Sequence, residues 1–336
     1  MKQIKYFLLL PASIVLLAIA CNKSSTTDLL QSGNWVTSSE SDASARFQAA
    51  TFTIGDTAYI GTGYDGTNRL QDFWSYDTLN HWRQIANFQG VGRNAAVGFT
   101  VGSKGYVTTG TDGYNKFKDT WEYSPSTNKW VQKADFAGTA RYAACAFGID
   151  SLGYVTCGFD NSYLKDLWKF SPSSNTWTQI QSLGGAKRYA ATAFVYKKQA
   201  YIVTGIGSGG SNVNDFWKFN PATNSWTELR KITNVSTDTY DDDYTDITRN
   251  SAVSLVMGDE AYLTLGLIGG YSQKTWQYDF ATDLWTRKTS FERSAREGAV
   301  AFTINGRGFV SMGKSSSYYF DDLEEWQPNV ALNTND

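Results

Sequence analysis

Histidine is nearly absent from this chain, with His81 alone among 336 residues. Any site that needs two or more histidines is therefore excluded, and with it a His-rich zinc centre. Proline is scarce too, at five residues against 30 glycines and 15% aromatics. That balance favours strands and tight turns over helices or disorder. Long apolar runs are missing: the one extended run, 6–20, is short and contains Pro11 and Ser13. A membrane-spanning helix wants about 20 residues. Positive charge is also in short supply. The formal charge is −2, and without Lys2 and Lys5 it is −2 − 2 = −4, so no affinity for nucleic acid or anionic membranes is implied.

What is present begins with an export signal. Lys2 and Lys5 precede the apolar run, which ends in Ala18-Ile19-Ala20-Cys21: a basic start, a short apolar core and small residues before a break. The cysteine after small residues resembles the lipobox of bacterial lipoproteins, although Ala18 stands where that family usually carries leucine. The resemblance implies that residues 1–20 are removed and that Cys21 is lipidated. The other reading is an ordinary cleaved signal with Cys21 as a bystander. Residues 21–33 are polar and small, as suits a flexible tether. The expected location is an exported protein held at a membrane only through its lipid, on the periplasmic side or at the cell surface.

The rest of the chain carries a repeat. Arg46, Arg93, Arg141, Arg188, Arg249 and Arg296 each open a related segment, at near-constant intervals apart from one longer gap between Arg188 and Arg249. At one fixed distance after each arginine stands an aromatic: Tyr59, Tyr106, Tyr154, Tyr201, Tyr262 and Phe309. At a second fixed distance stands a glycine: Gly63, Gly110, Gly158, Gly205, Gly266 and Gly313. Each copy reads as four short strands. In the first, 49–54 and 58–62 flank a Gly55-Asp56 turn, then come Phe73-Trp74-Ser75-Tyr76 and Trp82-Arg83-Gln84-Ile85. Four-stranded units repeated radially make a propeller in which each blade buries its faces against its neighbours.

The predicted fold is all-β, a six-bladed β-propeller of four-stranded antiparallel blades over residues 34–328, with a tail at 329–336. The glycine closing the second strand and the Tyr and Trp of the outer two resemble kelch repeats, with the family's double glycine reduced here to pairs such as Thr62-Gly63. Trp35 precedes Arg46 by the same interval that separates Trp82 from Arg93. It looks like an outermost strand without a blade, and it competes with Trp326 for one edge of the sixth.

Loops between the second and third strands share a face of the disc with the links between blades. That face is the candidate site, because loops on a rigid scaffold usually carry function. The six arginines begin the innermost strands there, and Tyr64, Tyr114, Tyr163 and Tyr271 lie in its loops. Asp72, Asp119, Asp166 and Asp215 stand two residues before inner tryptophans on the same face. Arg–Asp bridges tying blades together are the preferred reading of the arginines, with ligand contact as the alternative. The fifth copy has Lys274 at the aspartate position and the sixth shows no equivalent, so Arg249 and Arg296 are the expected unpaired pair. The interval from Trp226 to Arg249 is far longer than its counterparts, such as Trp82 to Arg93. This insertion holds Asp241, Asp242 and Asp243, a calcium candidate by charge that lacks the glycine and terminal glutamate of an EF-hand-like loop.

Galactose oxidase shares the kelch-type propeller, but its copper site takes two histidines. His81 is the only one here and falls in a turn on the opposite face. Copper chemistry and a Ser-His-Asp triad on the candidate face are both excluded. The resemblance to six-bladed sialic-acid mutarotases implies a carboxylate base at the channel mouth, and Glu297, beside Arg296, is the residue so placed. Cys145 and Cys157 are expected opposite each other in the first hairpin of the third copy, either bridged or as two small buried thiols. The function expected is a binding or interaction module for a glycan or protein, without cofactor or resident metal. A periplasmic sugar mutarotase is the alternative.

Overall fold

Six hydrophobic clusters lie between neighbouring blades, and they explain why the chain closes into a ring. Blade one presents Phe52 and Tyr59, stacked at 5.1 Å, to Tyr123 and Trp130 of blade two, and Phe73 joins them. The same arrangement recurs at every junction round the disc. No blade could bury both faces alone, so the cores exist only in the assembled ring.

The computed structural model describes Met1 and residues 32–335. The signal segment, Cys21 and most of the expected tether lie outside the described residues. Among those described there is no α-helix, only one 3-10 turn, Thr239–Asp241. Each blade is a four-stranded antiparallel sheet, in blade one Ala50–Ile54, Thr57–Gly61, Phe73–Asp77 and Trp82–Ile85. The constant spacing of the repeat glycine has a backbone cause: φ is +95° at Gly63 and between +86° and +100° at its five counterparts. Side-chain-bearing residues avoid that region.

The expected competition between Trp35 and Trp326 does not occur, since they occupy different strands of blade six. Ser32–Glu40 is the outermost strand and Asp322–Ala331 the third, with Trp35 opposite Trp326. By register Trp326 stands where other blades have Tyr76 or Phe170, and Glu324 stands where they have the inner tryptophan. The ring therefore closes by joining the two ends of the propeller segment in one sheet. These strands also take in Ser32 and Gly33 of the expected tether and Asn329–Ala331 of the expected tail.

Two circles of backbone hydrogen bonds surround the axis. The amide of each repeat glycine donates to the carbonyl of the next blade's arginine, from Gly63 to Arg93 at 2.7 Å round to Gly313 to Arg46 at 2.8 Å. Nearer the axis, Gln48, Ala95, Ala143, Ala190, Ser251 and Gly298 form a closed ring. Each donates to the carbonyl of the preceding blade's counterpart at 2.7–3.2 Å. All six adopt φ between +49° and +60°, a strained choice for five of them that persists because the circle fixes it. Below lies a channel of about 210 Å³ lined by small residues, among them Ala49, Ala96, Ala144, Ala191, Ala252 and Ala299.

Candidate functional site

The six arginines are the most uniform feature of the candidate face, and none reaches it. Their side chains are at most 1% exposed where paired. Each Nε donates to the carbonyl two residues back, and each Nη1 donates to the carbonyl that closes the second strand, as Arg46 does to Ser44 and Thr62. The remaining donors take an aspartate of the same blade. Arg46 holds Asp72 at 2.6 and 2.7 Å, and Arg93 and Arg141 hold Asp119 and Asp166 at 2.6 and 2.8 Å. Burial pushes these carboxyls up, but the hydrogen bonds and charge of the arginine outweigh it and leave them depressed. The bridges thus pin the first strand to the third within a blade. Ties between blades are made by backbone and aromatic rings instead, which corrects the expectation drawn from sequence.

Arg296 is paired as well, with Asp322. The sixth aspartate escaped sequence reading because Glu324, not tryptophan, follows it by two. Arg249 alone has no carboxylate on its guanidinium. It donates to the carbonyls of Asp246, Ile247, Leu265 and Lys274, and burial pushes its pKa down to about 10 against the opposing charge of Asp246.

The insertion supplies what Lys274 cannot. The Trp276 indole donates to Asp246 Oδ1 at 2.7 Å, as Trp74, Trp121 and Trp168 donate to Asp72, Asp119 and Asp166. Ile232, Tyr244 and Ile247 enter the core between blades four and five, and Tyr244 Oη accepts from the Trp285 amide at 2.7 Å. The segment is a wedge within the wall, not a cover over the channel. Its calcium candidate is also corrected. Asp241 is fully buried, and its carboxylate accepts from the Val235 and Ser236 amides at 2.9 Å and the Ser236 hydroxyl at 3.1 Å. Desolvation raises that carboxyl, and these hydrogen bonds bring it below its ordinary value. Among the described residues no group of three metal-ligating side chains converges, at Asp242 and Asp243 or elsewhere.

Cys145 and Cys157 are free and buried. The register sets Cys145 opposite Thr156, so the sulfurs meet on a diagonal rather than directly. In blade four the same two positions hold Thr192 and Thr204, hydrogen-bonded at 3.4 Å. The hydrogen bond to Cys157, with burial, raises the Cys145 thiol.

The lining of the channel mouth is built one residue after each arginine, half-buried at Phe47, Tyr142, Tyr189 and Glu297 and buried at Asn94 and Asn250. Phe47, Asn94, Tyr142, Asn250 and Glu297 bridge to Tyr64, Thr111, Phe159, Leu267 and Lys314, and Tyr189 pairs with Ile206. These side chains encircle the channel mouth, and they are not uniform. Tyr142, Phe159 and Tyr189 join Tyr163 in one half-buried cluster, with centroids 5.4–6.4 Å apart. On the opposite side of the ring Phe47, Tyr64 and Tyr319 lie 5.9–6.1 Å apart. Arg69 stacks over Tyr64 at 4.3 Å and Lys314 over Phe47 at 4.4 Å. Polar residues separate the clusters, with Asn94 donating to Gln48 at 2.6 Å and Asn250 to Asn212 at 2.9 Å. Burial raises the Tyr142 and Tyr189 hydroxyls, so both stay protonated donors; Glu297 adds to the effect at Tyr189.

Of the tyrosines singled out by sequence, Tyr64 and Tyr163 belong to these clusters. Tyr114 stands 95% exposed at the tip of its loop, and Tyr271 accepts from the Ser316 amide at 2.8 Å, away from them. Glu297 is 3.7 Å from Lys314; its neighbour Arg296 points into the blade toward Asp322. Phe47, Tyr142, Tyr189 and Phe159 carry no repeat signal in sequence, since each stands one residue after the repeated arginine or glycine at a position that varies from blade to blade.

A family model described as KLHDC2/KLHL20/DRC7 Kelch-repeats domain matches residues 25–205, more than half of the chain, and a Kelch motif model matches residues 187–232. No curated protein sequence matches. The solved structure of YjhT superposes with a TM-score of 0.71 at 17% identity, covering 84% of this chain and 95% of that one. At that identity the likeness shows a shared propeller fold, and a fold alone selects no activity.

Proposed function

The chain belongs to the kelch-repeat family, and from that premise we propose that it is an envelope-anchored recognition module whose ligand is a carbohydrate. The observation that carries this reading is the pair of aromatic clusters across the channel mouth. Half-buried tyrosine and phenylalanine rings offer flat apolar surface with little entropy to lose, and their hydroxyls offer hydrogen bonds. The C–H face of a pyranose matches the rings, and the half-buried Gln48 and the Glu297–Lys314 pair stand between the clusters to meet sugar hydroxyls.

The mutarotase alternative has less support, because Glu297 is neutralised by Lys314 and no free arginine lies beside it. Anchoring through Cys21 suits the display of this mouth. The outermost strand of blade six starts at Ser32 on the face opposite the mouth and ends at Glu40 on the mouth side.

A glycan array probed with the full-length protein should return a restricted set of binders. Tyr189→Ala should weaken binding to them about tenfold, near the worth of one aromatic contact, with the melting temperature within a few degrees. Binding unchanged in Tyr189→Ala would place the ligand elsewhere. Cys21→Ala should move the protein out of the membrane fraction, since retention would rest on acyl chains; a variant that still sediments with membranes after a salt wash refutes the anchor.

A further inference from the structure

Blade six departs from the other five at one buried position, and a cavity adjoins its arginine clasp. Trp74, Trp121, Trp168, Trp217 and Trp276 fill the space beside the arginine clasp, while the matching residue in register is Glu324. Glu324 is 1% exposed and turns toward Arg293 Nε at 3.2 Å and Thr37 at 3.0 Å. Beside the clasp, a cavity of about 820 Å³ on the mouth side of the disc is lined by Asp322 and Arg296 together with Asp321, Glu40 and Glu292. Ligand cavities usually span about 300–1,000 Å³.

The missing indole also leaves an acceptor without its donor. In three blades the aspartate oxygen that receives the arginine Nη2 also receives the indole N–H at 2.6–2.8 Å. Asp322 receives only Arg296. A second repeat position is inverted beside it. In blades one, three and five the residue before the clasp-aspartate position is a donor that caps a carbonyl of the following link: Gln71 to Gly90 at 2.7 Å, Lys165 to Gly185 at 3.3 Å, Gln273 to Arg293 at 2.6 Å. In blade six that residue is Asp321, whose carboxylate takes a hydrogen bond from its own backbone amide and from no other residue among those described; Glu40 stands on the same wall. Burial and the nearby charges of Asp322 and Glu40 push the Asp321 carboxyl up. Glu292 completes the acidic side, and Tyr318, 65% exposed and edge-on to Phe320 at 4.8 Å, supplies an aromatic wall.

We propose that this cavity is a recognition site for a guanidinium group, presented as an arginine side chain by a basic partner peptide. A guanidinium is flat, as the absent indole is. It carries N–H donors at its edge for Asp322 and Asp321, and a positive charge for Glu40 and Glu292. Its face can lie on Tyr318. An ammonium offers charge without the plane, and a neutral ring offers the plane without charge. The two arginines already in the wall do not oppose this, because Arg296 is paired with Asp322 and Arg293 with Glu324. The site lies outward from the aromatic mouth and is independent of the glycan reading.

Isothermal titration of the full chain with N-acetyl-L-argininamide should give saturable one-to-one binding, with N-acetyl-L-lysinamide weaker by about tenfold. Glu324→Trp restores the repeat residue and should abolish binding by putting an indole N–H on Asp322, as in the other blades. Asp321→Asn, on the surface and harmless to folding, should lower affinity about tenfold. Tyr189→Ala should leave the titration unchanged, which separates this site from the mouth. Equal binding of the two amides, or undiminished binding in Glu324→Trp, overturns the proposal. If Glu324→Trp does not fold, Asp321→Asn decides alone, and an unaltered affinity there is equally fatal.

Discussion

Two rings one residue apart in sequence behave in opposite ways. Arg46, Arg93, Arg141, Arg188, Arg249 and Arg296 are identical in type, buried and committed to fixed partners in every blade. Their successors Phe47, Asn94, Tyr142, Tyr189, Asn250 and Glu297 differ in size, polarity and charge, and all but Asn94 and Asn250 are only half-buried. Adjacent residues in an extended segment point to opposite sides, so one ring enters the blades and the other faces the channel mouth. In a repeat protein uniformity marks what the architecture needs six times over. Recognition has to use positions that the repeat leaves free to vary, because a single ligand breaks six-fold symmetry.

The largest effect expected from this contrast comes from paired substitutions at neighbouring positions. Arg141→Ala removes hydrogen bonds to Thr139, Cys157 and Asp166 and strands Asp166 in a half-buried site. Breaking a buried pair costs about 3–5 kcal/mol, and the lower end applies because the Asp166 side chain is 20% exposed. Tyr142→Ala, next in sequence, loses ring contacts worth about 1 kcal/mol and should instead weaken ligand binding. Urea unfolding of the two variants measures the difference. Similar losses of stability in both would erase the distinction between an architectural ring and a recognition ring.

Much of the fold was legible because the signal was repeated. Arginine, aromatic and glycine recur at fixed distances, and each has a single physical cause in the structure: the clasp, the inter-blade core and the positive φ. That the loops between second and third strands share a face with the links between blades was legible too, from strand direction alone. What escaped was set by long-range register. Asp322 could not be recognised without knowing that Glu324 replaces a tryptophan, and that follows only once Ser32–Glu40 is seen to complete blade six. Likewise the insertion shows in sequence only its length and its charges, while Ile232, Tyr244 and Ile247, which anchor it in the core, are spaced too irregularly to show a pattern. The mouth clusters combine residues from neighbouring blades, a whole repeat apart in sequence, a proximity that no local window contains.

A smaller effect tests whether blade five is a true variant of the repeat or a defect patched from outside. Lys274 occupies the aspartate position, Arg249 is capped by carbonyls, and Asp246 reaches in from the insertion to accept the Trp276 indole at 2.7 Å. Trp276 is 1% exposed, so an indole N–H left without a partner there has no water to turn to. Asp246→Ala should therefore cost about 1–3 kcal/mol, the usual range for a buried donor left unsatisfied. Asp246→Asn keeps an acceptor at the same place and should recover most of that loss. The charge of Asp246 also opposes the downward push on Arg249, so the alanine variant leaves a buried guanidinium with carbonyl dipoles alone. Adding Lys274→Asp to Asp246→Ala rebuilds the clasp found in the other blades, with one carboxylate beside both Arg249 and Trp276. If position 274 is the natural seat of that carboxylate, the double variant should be more stable than Asp246→Ala by at least about 1 kcal/mol, read from the shift in urea midpoint at unchanged slope. Equal midpoints for single and double variants would mean that the insertion has reshaped blade five beyond the repeat, and that Asp246 is no stand-in for the missing aspartate.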